Sequence, residues 1–220
     1  MSILTNCEIK CSCGEKFEAE LWKAVNVFDD PDLRELILSG RFNTVQCPKC
    51  NNFFYYEQFF IYQDLANELI AYVYPKEHEA MAAAYRKKML DDFKEASSGI
   101  EGFDEIDFHP VLYFGIEDLI KTLNNEDYVK DEIDILGFLA KRIGLDLIHI
   151  KPSAARNLCV MHTIPKKKET SGNIKEDIVS GLEMLLAHNP NLTEYDKFLK
   201  RIKNNISCLD EILVHKKVKK

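Results

Sequence analysis

Cys11-Ser12-Cys13-Gly14 and, further along, Cys47-Pro48-Lys49-Cys50 are the stretches that decide how this chain is read. Each places two thiols in one tight turn, and two such turns brought together supply the soft, tetrahedral ligand set that zinc prefers. Pro48 presets φ in the second turn, and Asn51 is the non-glycine residue best suited to a left-handed position after the last cysteine. Gly14 plays that part after Cys13. The first turn is one residue shorter than a Cys-x-x-Cys knuckle. Cys7, four residues before Cys11, therefore stands as a substitute for one ligand of the set Cys11, Cys13, Cys47 and Cys50. Four thiolates on one Zn²⁺ leave a local charge of −2, which Lys10, Lys16 or Lys49 could offset.

Outward from the turns, residues 6–27 predict two strands around the first cysteine pair, with Phe17 to Trp22 partly alternating. A short helix follows: Asp30 as cap, Pro31 at its first turn, Leu33, Leu36 and Ile37 as its apolar stripe, Gly40 as its stop. Phe53–Tyr56, Phe59–Tyr62 and Leu69–Tyr74 read as strands of an aromatic and β-branched sheet that Pro75 ends. The expectation is an α+β chain. A zinc-ribbon-like antiparallel sheet with an inserted helix occupies 1–75, a helix and linker 76–108, and a helix-rich mixed region 109–220. In that last region the pattern predicts a strand at 111–114 and helices at 116–123 and 127–143. Strands at 145–150 and 158–164 follow, joined by a Pro-Ser-Ala-Ala loop, and then helices at 174–188 and 193–205.

The pattern Cys-x-Cys-Gly, Val25-Asn26-Val27, Asp30-Pro31-Asp32-Leu33, Leu38-Ser39-Gly40 with Phe42-Asn43, and Cys47-Pro48-Lys49-Cys50 resembles the prokaryotic CpXC domain, named for two Cys-Pro-x-Cys motifs. Tyr62-Gln63-Asp64 and Leu112 to Leu119 extend the resemblance over about residues 1–140. Ser12 in place of the Pro-x pair and Asn51 in place of glycine depart from it. The resemblance implies a zinc-binding module and assigns no activity.

Composition narrows the function classes. Hydrophobic residues make up 46% and charged residues 30%, which suits a folded chain with a charged surface. No apolar run approaches the roughly 20 residues of a membrane span, and Met1 to Asn6 carry neither a basic nor an apolar leader. The expected location is cytoplasmic, where the seven cysteines stay reduced or bind metal. The net charge of −7 argues against broad phosphate-backbone binding. Only the last 56 residues are basic, net +4, through Lys166, Lys167, Lys168, Lys216, Lys217, Lys219 and Lys220 among others.

Three functions follow as expectations. The first is a non-enzymatic adaptor or regulatory protein with structural zinc, whose partner is another protein. The second is a nucleic-acid binder using the basic C-terminal segment. The third is an enzyme with a site in 100–190 drawn from His109, His149 and His162. A Cys159–His162 dyad is disfavoured, because residues three apart on a strand face opposite sides. The aromatic run 53–62 reads as sheet core rather than a base-stacking platform.

Overall fold

The structure, a computed structural model, describes residues 1–99, 108–168 and 171–216. Two compact units emerge, Met1–Asn124 and Asn125–Lys220. The fold class is α+β, as the sequence predicts.

In the first unit, β1 (Ile3–Lys10) and β2 (Lys16–Asn26) form an antiparallel hairpin whose turn is the first cysteine pair. Next comes α1 (Asp32–Leu38), with Leu33 and Ile37 buried. Gly40, at φ +70°, stops it, and the N–H groups of Arg41 and Phe42 both donate to the Leu36 carbonyl. Asp30 does not cap α1; its carboxylate accepts the Ser2 N–H instead (3.3 Å). A second, smaller hairpin, β3 (Thr44–Gln46) and β4 (Phe53–Tyr55), turns through the second cysteine pair. Then β5 (Phe60–Asp64) and β6 (Leu69–Tyr74) lead through a 3-10 turn (Lys76–Met81) into α2 (Ala82–Gly99). The sheet is completed by β7 (Val111–Phe114), after which α3 (Ile116–Ile143) begins.

The five-stranded sheet has the order β1-β2-β5-β6-β7. It is mixed, not wholly antiparallel as the sequence suggested: β2–β5 and β6–β7 are parallel. Both parallel pairs are joined by long excursions, through α1 and the small hairpin and then through α2, which return the chain in its original direction. The sequence reading set a boundary at residue 75, yet β7 pairs with β6, so the sheet draws a strand from beyond it. All six residues of β6 are buried, as a strand covered on both faces requires. Leu69, Ala71 and Val73 join the core under α1 and the start of α3, whereas Ile70, Tyr72 and Tyr74 join the core under α2. The aromatic run is used up the same way: Phe60 and Tyr62 are fully buried, and Phe59 packs on the α2 side. Phe53 alone of that run is well exposed.

The second unit holds β8 (Leu145–His149), α4 (Pro152–Leu158), β9 (Thr163–Lys167), α5 (Ile174–His188), α6 (Thr193–Asn204) and α7 (Cys208–Leu213). Its core gathers Leu136, Ile148, Ile164, Leu182, Tyr195 and Ile202 among others. Three expectations are corrected here. The helices read at 116–123 and 127–143 are one helix, since Asn124-Asn125 contains no breaker and each asparagine costs only about 0.7 kcal/mol in helix propensity. The Pro-Ser-Ala-Ala loop is the first turn of α4, with Pro152 at a position where its missing N–H costs nothing. The strand read at 158–164 accordingly starts later, at Thr163. The linker read at 99–108 falls mostly outside the described residues.

Buried polar groups organise this unit. Glu132 of α3 is 4% exposed, and its carboxylate accepts the Glu194 and Tyr195 N–H groups (3.0 and 3.3 Å) and the Thr193 hydroxyl (3.2 Å). It thus caps α6 from another element, an anion at the positive end of a helix. Gly181 lets α5 lie directly on β9: a Cβ there would stand 2.7 Å from the Lys166 Cα.

Candidate metal centre

Two hairpins deliver the four thiols. The first turn closes with Gly14 N–H on the Cys11 carbonyl (2.9 Å) and Cys11 N–H on the Glu15 carbonyl (2.8 Å). The second closes with Asn51 N–H on the Cys47 carbonyl (2.9 Å) and Cys47 N–H on the Asn52 carbonyl (3.0 Å). These are the same two bonds, each one residue longer in the second turn. Gly14 (φ +89°) and Asn51 (φ +57°) occupy the matching left-handed position after the second cysteine of each pair. Ser12 therefore stands for two residues without changing how the turn presents its thiols.

Cys11 Sγ lies 3.6 Å from Cys50 Sγ, and Cys13 Sγ lies 3.7 Å from Cys47 Sγ. All four sulfurs lie within 4.8 Å of one another. A tetrahedron with metal–sulfur bonds of about 2.3 Å has edges of about 3.8 Å, so the four fit around one ion. The separations are far beyond a disulfide, and all seven cysteines are free thiols. Cys11 and Cys47 are buried while Cys13 and Cys50 face outward.

Thiols this close titrate against one another. The Cys13 N–H beside its sulfur draws Cys11 down to about 6, assisted by bonds from the neighbouring thiols and opposed by burial. The Asn52 N–H acts the same way on Cys50, but Cys47, burial and the remaining thiols push Cys50 up to about 12. Cys13 rises as well: the Glu15 N–H lowers it, and burial with Cys11 and Cys47 outweighs that. Mutual repulsion keeps protons on part of the set, and a divalent cation would remove it.

Around the sulfurs, Lys49 reaches Glu15 (3.2 Å), an ion pair that joins one turn to the other. Lys16 pairs with Glu8 across the β1–β2 hairpin, and Lys10 sits opposite Lys16 in register. Glu15 first, and then Cys13 and Cys47, raise the pKa of Lys49 and so hold its ammonium charged beside the thiols. Cys7 is not part of the cluster. Its thiol lies against Thr5 on β1 and donates to the Gln58 side-chain amide oxygen.

The sequence reading missed Asn43. Buried and at φ +48°, it accepts the Trp22 N–H (2.8 Å) and donates to the Trp22 carbonyl (3.1 Å), as a pairing strand would. Its own carbonyl accepts the Tyr56 N–H. Asn43 therefore clips the small hairpin onto β2, and Ile9, Leu21 and Val45 fill the space between the two hairpins. An asparagine just past a glycine helix stop was the available signal.

The other candidate residues lie elsewhere. His149 and His162 each place Nδ1 3.2 Å from the Thr163 hydroxyl. Cys159 ends α4 in the left-handed conformation, and His109 is exposed before β7. Lys166 pairs with Asp146, Lys168 is exposed, and Lys217, Lys219 and Lys220 lie outside the described residues.

The family of CpXC proteins matches residues 9–119, half of the chain. The chain belongs to the CpXC family. The matched span holds both cysteine turns and ends within the first turn of α3, so it covers nearly all of the first unit and none of the second. No curated protein and no solved structure matches the chain. Among the described residues, no helix is long and apolar enough to cross a membrane.

Proposed function

We propose that this CpXC protein is a zinc-binding, non-enzymatic adaptor or regulatory protein that works in a reducing, cytoplasmic setting, its metal serving structure. The observation that carries the reading is the closure of the site. Four cysteine sulfurs lie within 4.8 Å of one another, and four thiolates on one ion leave no coordination position for water or substrate. The ligands also come from two hairpins whose shared core is small, Ile9, Leu21 and Val45 with their neighbours, so a cross-link there supplies what burial does not. A four-thiol site needs its cysteines reduced, which a reducing compartment supplies.

Metal analysis of protein purified without chelator is expected to give one zinc per chain. Replacement by Co²⁺ is expected to give the strong sulfur-to-metal absorption of a tetrathiolate site, unchanged on adding azide. Protein without bound metal would remove the reading. A cobalt spectrum that shifts with added anions would convert the site from a structural to an open one.

A further inference from the structure

Residues 125–143 of α3 belong to the second unit and bury one face in its core through Leu136 and Ala140. The opposite face is not the wholly polar surface that a solvent-facing helix usually shows. Ile135 is 40% exposed there and Phe138 64%. With Asp131 before them and Arg142 after them, these residues recur at intervals of four, three and four. That spacing lines side chains along one stripe of a helix, as in the seam of a coiled coil. The surface beside the stripe is open, since a Cβ at Gly137 would meet nothing within 4 Å.

Four exposed charges frame the two apolar side chains: Asp131 and Asp134 precede them, Lys141 and Arg142 follow. Among the described residues, none of the four makes an ion pair or a side-chain hydrogen bond; Arg142 only leans over the Phe138 ring of its own helix, 5.2 Å from the centroid. Asp134 and Lys141 are seven residues apart and Asp131 and Arg142 eleven, whereas partners within one helix sit three or four apart. A second α3 run antiparallel brings them together. A two-fold axis passing between Leu136 and Gly137 sets Ile135 against the partner's Phe138 and Asp131 against the partner's Arg142. Asp134 and the partner's Lys141 then meet along one flank. Every such pairing occurs twice, because in a two-fold interface each residue's partner contacts it in return. A parallel pairing instead sets each charge against its own copy, which is repulsive.

We propose that the chain forms a two-fold dimer through this face of α3, with Ile135 and Phe138 at its centre and the four charges fixing an antiparallel register. The occupant is a second copy because the charge pattern is complementary to its own reverse. One antiparallel helix pair is at the small end of specific interfaces, so the dimer is expected to dissociate at about 10–100 µM. The contact uses residues of the second unit alone and does not depend on the reading of the metal centre. It gives the part of the chain beyond the CpXC match a role, that of holding two CpXC units in one particle.

Sedimentation of the full chain from about 1 µM to about 1 mM tests this, with a monomer-to-dimer transition expected inside that range. Phe138→Ser is expected to weaken the dimer about tenfold or more, while the melting temperature of dilute protein stays the same because the ring is mostly exposed in a single copy. Asp131→Arg and Arg142→Asp each set like charges face to face and are expected to abolish the dimer when alone. An equimolar mixture of these two variants is expected to dimerise again, and so is the chain carrying both substitutions, since each restores opposite charges across the axis. This recovery separates a charge register from a failure to fold. Monomer at every concentration overturns the proposal and leaves the stripe to a different protein. A dimer indifferent to Phe138→Ser places the contact on another surface and overturns it too, as does the absence of recovery in both the mixture and the double variant.

Discussion

At the scale of single residues, the site depends on side chains that stand in for backbone. Asn43 supplies to Trp22 the donor and acceptor that a neighbouring strand would, and does so from a left-handed backbone. Asn43→Ala leaves the half-buried Trp22 N–H without that partner and its carbonyl with Gln58 alone, and forces alanine into a disfavoured region, so the loss should be about 1–3 kcal/mol. Asn43→Gly relieves the backbone cost alone and should lose about 1–2 kcal/mol less. Denaturant midpoints of the two variants check the order, and equal midpoints would show that backbone strain contributes nothing. The four-cysteine cluster was legible because paired cysteines are rare and their chemistry narrow. The alternative role for Cys7 arose from counting residues along the chain. The structure closes the first turn one residue sooner, with Gly14 keeping the position that Asn51 keeps in its partner, and clusters Cys11 and Cys13 without Cys7. Asn43 was not legible as a clip, because its partner Trp22 lies on another element.

At the scale of elements, local pattern and tertiary packing can be told apart. The β1–β2 hairpin, α1, α5 and α6 followed from periodicity and their stops, whereas β4 was read as part of the larger sheet and instead pairs with β3. The single α3 and the short α4 did not, because asparagines only weaken a helix and Pro152 begins one. Parallel pairing was equally hidden, since a strand's partner depends on where the intervening chain goes. Two glycines make a contrasting pair. Gly181→Ala drives a methyl into the Lys166 backbone and should cost about 2 kcal/mol or more despite better helix propensity. Gly137→Ala, with nothing within 4 Å, should gain up to about 1 kcal/mol. Thermal melts of both decide it, and a stabilising Gly181→Ala would mean that α5 lies less tightly on β9. Glu132→Ala should lose about 2–3 kcal/mol and release the first turn of α6 to hydrogen exchange, whereas loss of protection across all of α6 would point to more than a cap.

At the scale of the whole molecule, the two units have separate cores, and the four clustered cysteines belong to one of them. A strong chelator should therefore strip hydrogen-exchange protection from β1 to β4 while leaving α5 and α6 unchanged; uniform loss in both units would contradict this. The order of the ligands along the chain has a further consequence. All four sulfurs precede β5, β6 and β7, so during synthesis the ligand set is complete before the residues that finish the sheet have been made. At roughly 5–20 residues per second, the ribosome needs several seconds to travel from Cys50 to Val111. In that interval the nascent hairpins have little apolar surface to bury, and an ion caught between them would hold the growing chain in register for the strands that follow. Metal supply at the ribosome, more than metal supply to the finished protein, would then set how much of this chain folds.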